Sequence, residues 1–102
     1  MLTSVDADVI RVLGDPLRLK IVTLLARETL CTTHLVEETG AKQTNLSNHM
    51  KVLREAGIVE TEPCGRFTYY RLRPEVMAGL SGQFAELAAS ARAAAENKRA
   101  CP

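Results

Sequence analysis

The chain has 102 residues, 46% of them hydrophobic and 25% charged, and a formal net charge of +1. That length makes one domain, and the composition is that of an ordinary globular protein with no run near the ~18 apolar residues of a membrane span. A lone domain this small stays marginally stable, so a partner copy would help it.

Met1 to Asp8 has neither a basic start nor an apolar run, so no signal peptide is expected and the expected location is cytoplasmic. The first predicted helix covers about Val5 to Leu13, with Val5, Val9 and Leu13 on one stripe. Gly14 stops it. Asp15 then reads as an N-cap and Pro16 as the first residue of a second helix, whose Leu17, Ile21, Leu24 and Leu25 face a core. A short third helix runs from about Thr33 to Thr39 and ends at Gly40. The fourth begins near Lys42 and stops at Gly57, with Leu46, Met50 and Leu53 as its apolar stripe. Its opposite face holds Gln43, Thr44, Asn45, Ser47 and Asn48.

Ile58 to Glu62 and Phe67 to Leu72 are β-like runs around the turn cluster Pro63-Cys64-Gly65-Arg66, which predicts a hairpin. Arg73-Pro74 opens a fifth helix through about Asn97, with Met77, Leu80, Phe84, Leu87 and Ala91 spaced alternately by three and four. The expected fold is mainly α with a β-hairpin wing, a winged helix-turn-helix. Residues 1–97 are expected to form one domain, for which the features that follow point to DNA binding and dimerisation, and 98–102 a flexible tail.

The charge is unevenly placed. Residues 42–73 carry six basic side chains (Lys42, Lys51, Arg54, Arg66, Arg71, Arg73) against three acidic ones, while residues 1–41 carry four against six. A positive segment is the footprint expected for contact with DNA phosphates. It coincides with two short helices separated by Gly40-Ala41, the helix-turn-helix pattern. A recognition helix needs an apolar stripe to dock and short polar side chains to meet base edges. Asn and Gln pair bidentately with adenine, and Ser and Thr serve either base type. Gln43, Thr44, Asn45, Ser47 and Asn48 are the candidate base readers, Lys51 and Arg54 the phosphate contacts, and Arg66 the hairpin residue for the adjacent backbone or minor groove.

Three stretches carry a family resemblance: Leu13-Gly14-Asp15-Pro16-Leu17-Arg18-Leu19, the run Thr44 to Val59, and Gly65-Arg66 followed by Tyr69-Tyr70-Arg71-Leu72. Over about residues 5–90 the sequence resembles the ArsR/SmtB family of bacterial repressors. The resemblance implies a homodimer joined by the first and last helices, an imperfect palindromic double-stranded operator, and release from DNA when an inducer binds. Relatives often have Ser where this chain has Lys42, and Lys cannot cap a helix in that way.

The candidate inducer ligands are the cysteines. Cys31, Cys64 and Cys101 are odd in number and widely spaced, which fits free thiols. Arsenic-responsive relatives carry Cys-x-Cys-x-x-Cys at the third helix. Cys31 matches the first position, while Thr33 and Val36 stand at the other two. With no His after His49, the last-helix zinc site of other relatives is not expected. No cofactor is required, and arsenite or antimonite on Cys31, Cys64 and Cys101 is the leading inducer, because trivalent arsenic bonds soft sulfur. Cys31 with His34 is a second ligand pair, suited to zinc or cadmium. If the segment before the third helix pairs with the second hairpin strand, Cys31 lies beside Tyr70 or Arg71, with Cys64 roughly 20 Å away at ~3.3 Å per residue. The competing readings are a thiol redox sensor, a cadmium or zinc sensor, and a winged-helix protein-interaction module. No arrangement of catalytic side chains and no Gly-rich phosphate loop points to an enzyme.

Overall fold

The computed structural model describes residues 6–102. Its elements follow α1 (Ala7–Leu13), α2 (Pro16–Leu25), β1 (Leu30–Cys31), α3 (Thr32–Thr39), α4 (Gln43–Glu55), β2 (Val59–Cys64), β3 (Phe67–Leu72) and α5 (Pro74–Ala93). This is a winged helix-turn-helix, and no helix among the described residues is long and apolar enough to cross a membrane.

Local chemistry sets the helix boundaries. Asp6 caps α1, its carboxylate accepting the N–H groups of Asp8 and Val9. The expected start at Val5 lies outside the described residues. Asp15 caps α2 in the same way, accepting from Leu17 and Arg18 at 2.9 and 3.1 Å ahead of Pro16. Gly40, at φ 72°, ends α3 by donating its N–H to the Val36 carbonyl at 2.9 Å. As expected for a lysine at that position, the N-cap Lys42 gives α4 no side-chain cap.

Three boundaries differ from the sequence expectation. The strand β1 is not among the expected elements, although the sequence leaves open a pairing of the segment before the third helix with the second hairpin strand; that pairing with β3 is present and makes a three-stranded antiparallel sheet in the order β1-β3-β2. The hairpin turn is also tighter than the cluster Pro63 to Arg66 implied. Pro63 and Cys64 belong to β2, opposite Thr68 and Phe67. Proline is tolerated there because β2 is an edge strand. Finally, α5 ends at Ala93 rather than Asn97, and Ala94 to Glu96 form a turn. The alanine-rich end favours helix by propensity alone, but short helical ends without packing gain little.

The core sits where α2, α3 and α4 meet the sheet. Ile21, Leu35, Leu46, Leu53 and Ile58 are fully buried and Met50 nearly so, each side chain contributing about 1.5–3 kcal/mol of hydrophobic stabilisation. In contrast, α5 has no buried residue. Val76, Met77 and Leu80 lean on the core, whereas Phe84 and Leu87 remain 50% and 45% exposed.

Candidate nucleic-acid interface

The fourth helix divides cleanly between its two faces. Leu46, Met50 and Leu53 point into the core, while Gln43, Thr44, Asn45, Ser47, Asn48, Lys51 and Arg54 are all exposed. Thirteen residues make a rod about 20 Å long, and an α-helix fits a major groove about 12 Å wide. Burial of the stripe therefore fixes which side chains face outward. Lys51 approaches Glu55 at 3.9 Å, but both side chains are more than 60% exposed, so this pair holds Lys51 only weakly.

The wing brings Arg66 to the hairpin turn, where Gly65 adopts φ 62°. Arg66 and Phe67 are exposed beside a polar cleft of about 320 Å³ that also involves Thr32, Thr33, Gln43 and Tyr70. The cleft thus joins the starts of α3 and α4 to the tip half of the wing. Sequence spacing could not reveal it, because it depends on how α3, α4 and the hairpin pack together.

The structure also narrows the positive segment. Arg71 reaches Glu60 at 3.3 Å and Glu62 at 2.8 Å across the hairpin. Arg73 pairs with Glu75 at 2.8 Å and donates to the Gly57 carbonyl at 3.3 Å. The Glu75 carboxyl titrates below its ordinary value, chiefly through its own backbone N–H and then through Arg73. Two of the six basic residues therefore face internal partners. Lys42, Lys51, Arg54 and Arg66 remain around the exposed polar face.

The cysteines occupy unlike places. Cys31 is buried, 4% exposed, at the N-cap of α3. Its backbone N–H donates to His34 Nδ1 at 3.2 Å, and the His34 ring meets Tyr69 edge-on with centroids 5.9 Å apart. The expected neighbours Tyr70 and Arg71 are corrected by one register step, since Cys31 lies opposite Tyr69. Cys64 is exposed at the end of β2, and Cys101 is exposed near the end of the chain.

The expected 20 Å between Cys31 and Cys64 is also corrected. It counted residues along one strand, whereas the hairpin folds back and places Glu62 opposite Tyr69. Two strand spacings and two residues of rise give a Cα separation of about 12 Å. That is still too far for one ion. Among the described residues no group of three or more His, Cys, Asp or Glu side chains is placed to hold a metal ion.

One contact behind the recognition helix was not read from the sequence. Arg18 Nη1 lies 3.1 Å from His49 Nδ1, and Arg18 Nε donates to the Val12 carbonyl at 2.6 Å. The neighbouring Asp15 carboxyl titrates below its ordinary value, mainly because it accepts the Arg18 backbone N–H.

Known proteins share this arrangement. The model of the bacterial regulatory protein arsR family matches residues 15–61, which runs from the α2 cap through the recognition helix into the wing. An uncharacterised HTH-type transcriptional regulator of Methanocaldococcus jannaschii is 34% identical over 65 residues, covering 63% of this chain and 73% of that protein. A crystal structure of a possible transcriptional regulator for arsenical resistance superposes with a TM-score of 0.72 at 31% identity, covering 92% of this chain and all of the other. The chain belongs to the arsR family. That family consists of DNA-binding transcriptional regulators, not enzymes. The arsenic resistance transcriptional regulator ArsR1 of Pseudomonas putida is 41% identical over 69 residues, 67% of this chain. The match spans 54% of the length of that relative and about half the length of several others.

Proposed function

We propose that the protein is a homodimeric transcriptional repressor that binds an imperfectly palindromic operator and is released by trivalent arsenic or antimony. The observation that carries the DNA-binding reading is the exposed polar face of α4 with Arg66 of the wing beside it. With α4 in the major groove, Gln43, Thr44, Asn45, Ser47 and Asn48 read bases. Lys51 and Arg66 hold phosphates and fix the register. The exposed Phe84 and Leu87 of α5, together with Ile10 of α1, supply an apolar surface that a second copy covers.

Arsenite as inducer is supported by the name of the Pseudomonas putida relative and by three free thiols per chain. Cys31 is the first ligand, because it begins α3, which packs on α4. An ion there acts by holding α3 in a geometry that fits the groove less well, and its effect is limited to its preference for the free over the bound conformation, typically ~1–3 kcal/mol. Cys31 and Cys64 of one chain are too far apart to share it, so the second thiol comes from Cys101 or from the other subunit.

The test begins with selection of duplexes from random DNA by the purified protein. Failure to enrich any sequence refutes the DNA-binding reading. The selected complex is then titrated with arsenite, cadmium, zinc and peroxide. Release by arsenite at the lowest concentration is expected, whereas release by cadmium, zinc or peroxide alone refutes the arsenic assignment.

A further inference from the structure

The recognition helix is braced from behind by a side chain that also grips the end of α1. Arg18 stands in the first turn of α2 and makes two contacts in different directions, from Nε to the Val12 carbonyl at 2.6 Å and from Nη1 to His49 Nδ1 at 3.1 Å. A guanidinium is only a donor, so Nδ1 of His49 is the acceptor and the neutral ring carries its proton on Nε2. Both side chains are half-buried. His49 lies next to Met50 of the inward stripe and Asn48 of the outward face, so its ring sits at the flank of α4 where helix orientation is set.

We propose that Arg18 and His49 are positioning residues that tie the C-terminal end of α1 to the middle of the recognition helix, and that protonation of His49 releases this tie and weakens operator binding. The proposal rests on the DNA-binding reading above. Its chemistry is simple. An imidazolium has two N–H groups and no lone pair, so the Arg18 contact becomes one between two donors of like charge. The operator affinity depends on this because α1 belongs to the proposed two-fold interface. A brace between α1 and α4 sets how far apart the two recognition helices stand, and half-site spacing tolerates little error.

The charged groups around His49 have known positions. From α2 these are Arg18 in contact and Asp15 nearby, and the Asp15 carboxylate is already engaged with the Leu17 and Arg18 N–H groups. From α3, Glu37 and Glu38 are exposed and His34 is bonded to the Cys31 N–H. From β2, Glu60 and Glu62 pair with Arg71. Along α4, the helical neighbours Asn45, Leu46, Val52 and Leu53 are uncharged, and Lys51, two residues on, is exposed and approaches Glu55 at 3.9 Å.

The sign of the effect separates it from general electrostatics. Gaining protons makes a protein more positive and tightens its hold on phosphates. Loss of the brace acts in the opposite direction. The test measures binding of the full chain to the duplex that the wild-type protein selects at about pH 8, at fixed ionic strength, down to about pH 5.5, a span in which histidines titrate. His49→Gln keeps an acceptor oxygen and does not titrate. It is expected to bind within about threefold of wild type at the higher pH and measurably more tightly than wild type at the lower. Arg18→Lys keeps the charge but has one nitrogen for two separate acceptors, so it is expected to lose about tenfold at the higher pH and to show a flatter pH profile.

A His49→Gln profile parallel to wild type, or an Arg18→Lys protein that matches wild type, overturns the proposal. Circular dichroism identifies any variant that does not fold. A measurement on the wild-type protein needs no variant: nitrogen-15 shifts are expected to show His49 with its proton on Nε2, and a proton on Nδ1 overturns the contact. If no duplex is selected at all, the DNA-binding reading fails, and the tautomer still tests the brace.

Discussion

Cys31 lies directly across the sheet from Tyr69, whose ring meets that of His34 edge-on. The thiol is therefore held at the junction of β1 and α3, out of solvent, while Cys64 and Cys101 are open to it. With a thiol-labelling reagent, Cys64 and Cys101 are expected to react at once and Cys31 only as the fold opens. Cys31→Ser is expected to leave operator binding nearly intact and to abolish arsenite release. Cys64→Ser and Cys101→Ser, measured by the same anisotropy titration, show which thiol completes the site. A Cys31→Ser protein that still dissociates at the wild-type arsenite concentration removes Cys31 from the site.

The exposed face of α4 gives a prediction about specificity. Asn45→Ala or Ser47→Ala is expected to cost roughly 1–3 kcal/mol on the selected duplex and much less on random DNA. Lys51→Ala and Arg66→Ala are expected to weaken both duplexes and to flatten the salt dependence. Equal losses on both DNAs for Asn45→Ala count against base reading.

Assembly is tested at α5. The half-exposed Phe84 and Leu87 are expected to be covered in a dimer, so sedimentation at micromolar concentration is expected to give twice the chain mass. Phe84→Asp places a charge in that contact and is expected to give monomers that lose operator affinity. A wild-type monomer that binds a full operator tightly refutes this assembly.

Asp15 gives a prediction for acid. Its carboxyl titrates below the ordinary value, chiefly through the Arg18 backbone N–H. A lowered native pKa adds stability that is fully present above the unfolded-chain value and disappears as pH falls through the native one. Asp15→Asn retains a capping oxygen but does not titrate. Thermal melts from about pH 7 to about pH 3 are expected to show wild type above Asp15→Asn at neutral pH, with the difference closing in acid. A constant difference rules out a contribution from the charge.

Much of the fold was legible because its signals are local. Asp15-Pro16, Gly40 and Gly57 marked boundaries by backbone chemistry, and the spacing of Leu46, Met50 and Leu53 told the inner face of α4 from the outer. What escaped depended on partners distant in sequence. The sequence leaves open a pairing of the segment before α3 with β3, but its register, Leu30 opposite Tyr70 and Cys31 opposite Tyr69, has no local periodicity to fix it. Likewise, Arg18 meets His49 across 31 positions, and neither residue type signals such a contact. Counting charges overstated the basic surface for the same reason, since the acidic partners of Arg71 and Arg73 are fixed by the hairpin and the start of α5.

The described chain is 62 Å long and about a third as wide, with a radius of gyration of 17.7 Å, against about 13 Å for a compact domain of this size. The excess length comes with an α5 that has no buried residue. If a second copy covers that stripe, as proposed above, the melting temperature is expected to rise with protein concentration by mass action. On that reading the lone chain is expected to leave its longest helix open to proteolysis at low copy number. Cellular dosage is then expected to set how much functional protein persists, alongside any inducer.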